Sequence, residues 1–235
     1  MGEQVFLVTG ASRGIGAATA RMASARGYRV VLAARAASST ARLAAELGGP
    51  DRAWSASCDV TRYEQVAGLV QRVEEEWGRL DVVFANAGAS VVTSFTAEDG
   101  APPAEWGDMV LTNVCGPAFT ARAAMPALTR HGGHLVLTGS AAGRGVRPGS
   151  LYAATKWAVT GLAQAIRAEC VGTGVRVTLV QPGLTDTGGI PASRAADPKL
   201  APEDVARAVL YAVEQPPTVD VNEILVRPVG QDAHR

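Results

Sequence analysis

Short apolar runs alternate along this chain with longer stretches in which apolar and polar residues recur at a helical interval. Residues 4–10, 29–35, 79–88, 132–140 and 174–183 are rich in Val and Leu, and each run ends near glycine or a small polar residue. Between them, residues 16–27, 61–78 and 103–130 read as helical segments. Near-continuous apolar strands separated by helices predict a parallel sheet covered on both faces. A last strand is expected over 221–226, after a helix that begins near Ala201, with Pro202 suited to its first turn. There is no Pro/Ser-rich linker and no shift of composition. The expectation is one α/β domain over 1–235, a doubly wound sheet of about seven strands flanked by helices on both faces.

Composition narrows the function classes. Of 235 residues, 47% are hydrophobic and 19% charged, which describes a globular chain and not a disordered one. Lys plus Arg equals Asp plus Glu at 22 each, which argues against nucleic acid or an anionic membrane as the main partner. A local basic pocket for a phosphorylated ligand is compatible with that balance. No apolar run approaches the ~18 residues that span a bilayer. Residues 1–12 enter a strand without the charged and apolar regions of a signal peptide, so the expected location is the cytoplasm. Cys58, Cys115 and Cys170 are odd in number and far apart, which suggests neither a disulfide framework nor a metal site. His131 and His134 flank Gly132-Gly133, and His234 is next to last; they read as turn and tail residues, and no metal is expected.

The first strand runs into Thr9-Gly10-Ala11-Ser12-Arg13-Gly14-Ile15-Gly16. A glycine-rich turn between a strand and a helix lets a diphosphate approach the backbone and meet the helix N-terminus. The spacing here is G-x-x-x-G-x-G, not G-x-G-x-x-G. The second strand ends at Ala33-Ala34-Arg35, where dinucleotide folds often carry an acid for the ribose hydroxyls. A neutral Ala34 beside Arg35, with Arg13 in the glycine loop, favours a 2′-phosphate and therefore NADPH over NADH.

Tyr152 and Lys156 are four residues apart, about one helical turn, so both project from one face. A phenol beside an ammonium group is a proton donor with an adjustable pKa, and a nearby positive charge is expected to lower it. Such a group hands a proton to a carbonyl oxygen, or takes one from an alcohol.

The glycine turn, Asn86-Ala87-Gly88, Asn113, Ser140, Tyr152 with Lys156, and Pro182-Gly183 stand in one order along the chain. In that order they resemble the short-chain dehydrogenase/reductase family, in its compact branch, over nearly the whole chain. The resemblance implies a Rossmann-like fold, with Tyr152 as proton donor and acceptor and Lys156 lowering the Tyr pKa and bonding the nicotinamide ribose. It implies Ser140 on the substrate oxygen and Asn113 supporting a water and the Lys in a proton relay. Gly10, Ser12, Arg13, Gly14, Ile15, Gly16 and Arg35 would hold the phosphates. Asp59 and Val60 would lie beside the adenine, and Asn86, Ala87 and Gly88 would line the cofactor. Pro182, Gly183, Thr185 and Thr187 would close over the nicotinamide, with Thr187 on its carboxamide. The tail 221–228 resembles reductases acting on small hydroxy acids and related aldehydes.

Two departures from the family pattern stand out. Ser140 and Tyr152 are twelve apart, one short of the usual spacing, and the segment 188–200 is short for a substrate lid. The latter implies an open pocket, or one completed by a partner subunit. The resulting expectation is an NADP(H)-dependent carbonyl reductase or alcohol dehydrogenase acting on a small molecule. The alternatives are an epimerase or dehydratase, a non-catalytic NADP(H)-binding redox sensor, and an NAD-dependent alcohol dehydrogenase. Trp106 and Trp157 read as core or interface residues. The apolar helices expected over 106–130 and 151–171 imply a homo-oligomer, a tetramer or a dimer.

Overall fold

In the computed structural model, residues 3–97, 100–145, 147–188, 190 and 194–231 are described. The expectations placed on residues 1–2, on His234 and on 189 and 191–193 of the short lid segment fall outside them. The strands are β1 (Val5–Thr9), β2 (Arg29–Ala34), β3 (Ala53–Ser57), β4 (Val82–Ala85), β5 (His134–Thr138), β6 (Arg176–Pro182) and β7 (Glu223–Val226). The helices are α1 (Gly14–Ala25), α2 (Ser38–Glu46), α3 (Tyr63–Trp77), α4 (Pro103–Val110), α5 (Gly116–His131), α6 (Leu151–Glu169) and α7 (Pro202–Val213). The seven strands form one parallel sheet in the order β3-β2-β1-β4-β5-β6-β7.

Both sheet faces are covered, as the continuous apolar strands require. Successive side chains of a strand point to opposite faces. Val5 and Leu7 accordingly join a core with Val66, Val73, Leu128 and Val159, beneath α3, α5 and α6. Phe6 and Val8 join a second core with Ala20, Val205 and Val209, beneath α1 and α7. The chain runs outward from β1 to β3, then returns to β4 on the other side of β1. The carboxyl ends of β1 and β4 therefore flank a crevice at the point where strand order reverses, the usual ligand position in such sheets.

Five sequence expectations are corrected. The unnamed strand is β3, whose segment of Ala, Trp and Ser lacks a Val/Leu run and is ordered by pairing with β2, as in Val31 with Trp54. The helix expected over 106–130 is interrupted by a π turn at Leu111–Cys115. A cause is visible in the sequence: Pro117 has no N–H and cannot close an α-helical bond to the Asn113 carbonyl. The last strand is shorter than 221–226, and the helix expected over 151–171 stops at Glu169. His134 is not a turn residue but a wholly buried member of β5, with Nε2 2.7 Å from Thr178 Oγ1.

Candidate active site

The glycine turn follows β1 at the crevice. Gly10 and Gly14 have φ of +66° and +55°, a left-handed conformation that side chains disfavour. A Cβ on Gly10 would stand 2.8 Å from Ala87 Cα, and one on Gly14 would stand 2.9 Å from Thr187 Cγ2. Gly16 packs behind the turn, where a Cβ would stand 2.8 Å from Asn86 Nδ2. No side chain caps the first turn of α1, so its backbone N–H groups face the crevice without such a partner.

Asn86 fastens the loop after β4 to this turn. Its Nδ2 donates to the carbonyls of Thr9 at 3.1 Å and Gly10 at 3.3 Å. The Thr9 hydroxyl in turn accepts the N–H groups of Asn86 and Ala87. A cavity of about 630 Å³ opens between them. Gly10, Ser12, Arg13, Gly14 and Ile15 lie on its wall, as do Arg35, Asp59 and Val60. Asn86, Ala87, Gly88, Thr187, Tyr152 and Lys156 complete the expected set on it. The glycine cradle, uncapped helix end and flanking Arg35 fit a dinucleotide with a phosphorylated ribose. Arg13 is exposed on the wall of this cavity, with Nη1 donating to the Thr187 carbonyl at 2.9 Å, where the loop after β6 packs down on Gly14. Arg35 is the exposed cation at the end of β2. Asp59 Oδ1 accepts the N–H and hydroxyl of Thr61, which together hold its carboxyl below the usual range, with a smaller contribution from Arg35.

A second cavity of about 440 Å³ adjoins the first. Ser140, Pro182, Gly183 and Thr185 line this one and not the cofactor-sized cleft. Tyr152 lines both, as do Ile15, Ser90, Thr138 and Thr187. Ser140 precedes a short 3₁₀ turn, Ala141–Arg144, and its Oγ accepts the Ala142 N–H at 3.1 Å. Ser150 caps α6 by accepting the Ala153 N–H, which fixes the first helical turn that carries Tyr152. Despite the shortened Ser140–Tyr152 spacing, both side chains line this cavity, and the Ser140 Oγ donates to the Pro182 carbonyl at 3.4 Å.

Lys156 is buried, and its Nζ donates to the Thr138 carbonyl at 2.9 Å and stands 5.7 Å from the Tyr152 ring centroid. Burial pulls its pKa down from 10.5 to about 8. The Tyr152 pKa differs from the sequence expectation: burial raises it above 10, and the opposing influences are the Ser140 hydroxyl and the charge of Arg147. Loss of solvent outweighs neighbouring charge here, because a phenolate at this half-buried position forfeits part of its hydration.

Asn113 lines neither cavity. It is buried in the π turn, and its side chain binds Ala89 and Thr155. The residues that sequence reasoning did not single out are Arg147 and Arg194, both on the second cavity. Each looks like an ordinary surface arginine in the sequence, and only the fold brings them to Tyr152. Trp106 is half-buried with its Nε1 donating to Ala101, whereas Trp157 is 49% exposed and lies outside the core.

The comparisons with known proteins agree with this architecture. Residues 4–197 match the family model for short chain dehydrogenases. An uncharacterized oxidoreductase of Staphylococcus aureus strain USA300 is 39% identical over 233 residues, covering 97% of this chain and 98% of that one. The chain is therefore an oxidoreductase of the short-chain dehydrogenase/reductase family. Among solved structures, an alcohol dehydrogenase from the archaeon Thermococcus sibiricus, complexed with 5-hydroxy-NADP, has a TM-score of 0.88 at 31% identity, covering 98% of this chain and 99% of that one. The closed form of a serine dehydrogenase complexed with NADP+ has a TM-score of 0.89 at 30% identity, covering 97% and 96%. No helix among the described residues is long and apolar enough to cross a membrane.

Proposed function

We propose that this chain is an NADPH-dependent oxidoreductase that interconverts a ketone or aldehyde and its alcohol. The observation that carries the reading is the position of Tyr152, common to both cavities, with Lys156 beside it on the first and Ser140 on the second. Two similar structures hold NADP forms, and this chain has Arg35 and no acid at the end of β2, which supports NADP(H) as cofactor.

When bound, the nicotinamide supplies or accepts the hydride. The glycine turn and the uncapped end of α1 hold the diphosphate, Arg35 the 2′-phosphate, and Asp59 and Val60 flank the adenine. Thr187 and the Pro182-Gly183 turn border the nicotinamide end. Ser140 and Tyr152 donate hydrogen bonds to the substrate oxygen, and Tyr152 gives up its proton to that oxygen as negative charge develops there. Lys156, fixed on Thr138, bonds the ribose and stabilises the phenolate. Asn113 holds the turn behind Lys156, and its carbonyl, without an α-helical partner in Pro117, supports a water in proton supply to Lys156. The same reading takes the chain as a single domain that works as a homo-oligomer in the cytoplasm.

The test is a panel of ketones and aldehydes with NADPH oxidation as readout, in wild type and Tyr152→Phe. Turnover in the wild type and its loss in the variant support the assignment. Equal turnover in both removes Tyr152 from the chemistry.

A further inference from the structure

The second cavity carries cationic groups beside the reacting hydroxyls. Arg147 and Arg194 line it together with Ser140 and Tyr152. The three arginines of this region are in different states. Arg194 is paired with Asp197, with Nε 2.9 Å from Oδ2, and its charge still acts on Arg147. Arg227 is half-buried, and its Nε is shielded from solvent without a hydrogen-bond partner. Arg147 is half-buried and lies within the electrostatic reach of Arg194, Arg227 and Tyr152. Among the described residues, no carboxylate lies within ion-pair distance of its guanidinium and no hydrogen bond engages it. Arg144, three residues earlier, shows the contrast: it is taken up by Gln181 and Glu223.

A guanidinium drawn partly out of water with no acid beside it costs free energy, and like charges nearby increase that cost. Folding does not return that cost, but an incoming anion does. The planar fork of Arg suits a carboxylate, which it bonds with two parallel N–H groups. The chain as a whole is neutral, so this is a local field confined to the pocket and not a consequence of overall charge. A cavity of about 440 Å³ admits a small molecule with both a carbonyl and an acid group.

We propose that the substrate of this site carries a carboxylate, received by Arg147 in the field of Arg194 and Arg227, so that the reaction reduces an oxo acid or oxidises a hydroxy acid. The proposal rests on the oxidoreductase reading of the same site and adds the chemical class of the substrate. Arg147 thus sets specificity: it holds the acid end while Tyr152 and Ser140 address the carbonyl end. A phosphate ester would present similar oxyanion chemistry, and the experiment separates the two.

The experiment uses matched pairs: 2-, 3- and 4-oxo acids, the methyl ester of each, and a phosphorylated carbonyl compound of similar size. NADPH oxidation gives kcat/KM for each. One charge-assisted bidentate contact predicts that the best acid exceeds its ester by about 10–100-fold in the wild type. In Arg147→Gln that ratio should fall towards one through a raised KM for the acid, and Arg147→Lys should recover part of it. The ratio cancels any loss common to acid and ester, including a change in Tyr152. Equal values for acid and ester in the wild type, or an unchanged ratio in Arg147→Gln, overturn the carboxylate receptor and leave the carbonyl reductase intact. A preference for the phosphorylated compound over every oxo acid overturns the carboxylate assignment. Absence of turnover on all carbonyls counts against the reductase, and calorimetric titration of the oxo acids into protein with NADP+ then decides the site. Binding weakened by about tenfold or more in Arg147→Gln supports it, and equal or absent binding in both proteins overturns it.

Discussion

Asn113 and Ala89 exchange two hydrogen bonds: the Asn113 Oδ1 accepts the Ala89 N–H at 2.8 Å, and its Nδ2 donates to the Ala89 carbonyl at 2.9 Å. The same Nδ2 donates to Thr155 Oγ1 at 3.0 Å. One buried amide thus ties the loop after β4 to the π turn and to the helix that carries Tyr152 and Lys156. Asn113→Ala should cost about 1–3 kcal/mol, because its backbone partners lose their bonds in a half-buried setting. At roughly 2–4 °C per kcal/mol for a chain of this size, thermal unfolding should show the shift. Activity should fall as well, since the Tyr152 helix loses an anchor. An unchanged melting temperature would contradict this role.

Tyr152→Phe keeps the ring and removes the hydroxyl. Loss of a general acid should lower kcat by roughly two to four orders of magnitude. NADPH binding, followed by fluorescence titration, should change little. Ser140→Ala removes a hydroxyl whose influence opposes the upward shift of the phenol. The pH at which alcohol oxidation rises should therefore move to higher values in Ser140→Ala. A shift to lower pH would mean that the Ser140 hydroxyl does not favour the phenolate.

Cofactor preference tests the end of β2. Arg35→Ala should raise KM for NADPH and leave KM for NADH nearly unchanged, because only the 2′-phosphate contact is lost. A wild type that prefers NADH, or a variant with the same preference as the wild type, would sink the assignment of Arg35.

His134 makes the protein sensitive to acid. Burial holds its pKa near 3, against an ordinary 6.5, with Arg176 adding to the effect. The folded state therefore refuses a proton that the unfolded chain accepts below pH 6.5, so stability falls as the pH drops from 6.5 towards about 3. By pH 4.5 the loss should reach about 2–3 kcal/mol, at about 1.4 kcal/mol per pH unit. Urea unfolding of wild type and His134→Gln at pH 7 and pH 4.5 measures it. The variant should start less stable and lose less between the two pH values; parallel losses in both proteins would exonerate His134.

A steric test concerns the cofactor cleft. Gly10→Ala forces a side chain into a left-handed backbone position and against Ala87 Cα. NADPH affinity should fall because the turn and the Asn86–Gly88 loop can no longer close together. An alanine variant with wild-type affinity would show that the turn tolerates the displacement.

The alternation of Val- and Leu-rich runs with helical segments was enough to specify a parallel sheet with two covered faces, because burial on both sides leaves no polar alternation in the strands. The glycine turn, Arg35, Ser140, Tyr152 and Lys156 were legible because backbone access, fixed charge and helical spacing are local properties. Other features needed the fold. β3 carries too little apolar signal to stand out and exists by pairing with β2. Apolar periodicity across 106–130 did not reveal the extra residue per turn at Asn113, although Pro117 removes a donor there. The depth of Lys156 and His134, and so the direction of their pKa shifts, follows from what packs over them. The unpaired state of Arg147 depends on which acids end up near it across the chain: Glu223 goes to Arg144 and Asp197 to Arg194. Local sequence thus determined the scaffold and the reacting groups, whereas long-range packing decided their solvation and the charge of the pocket they share.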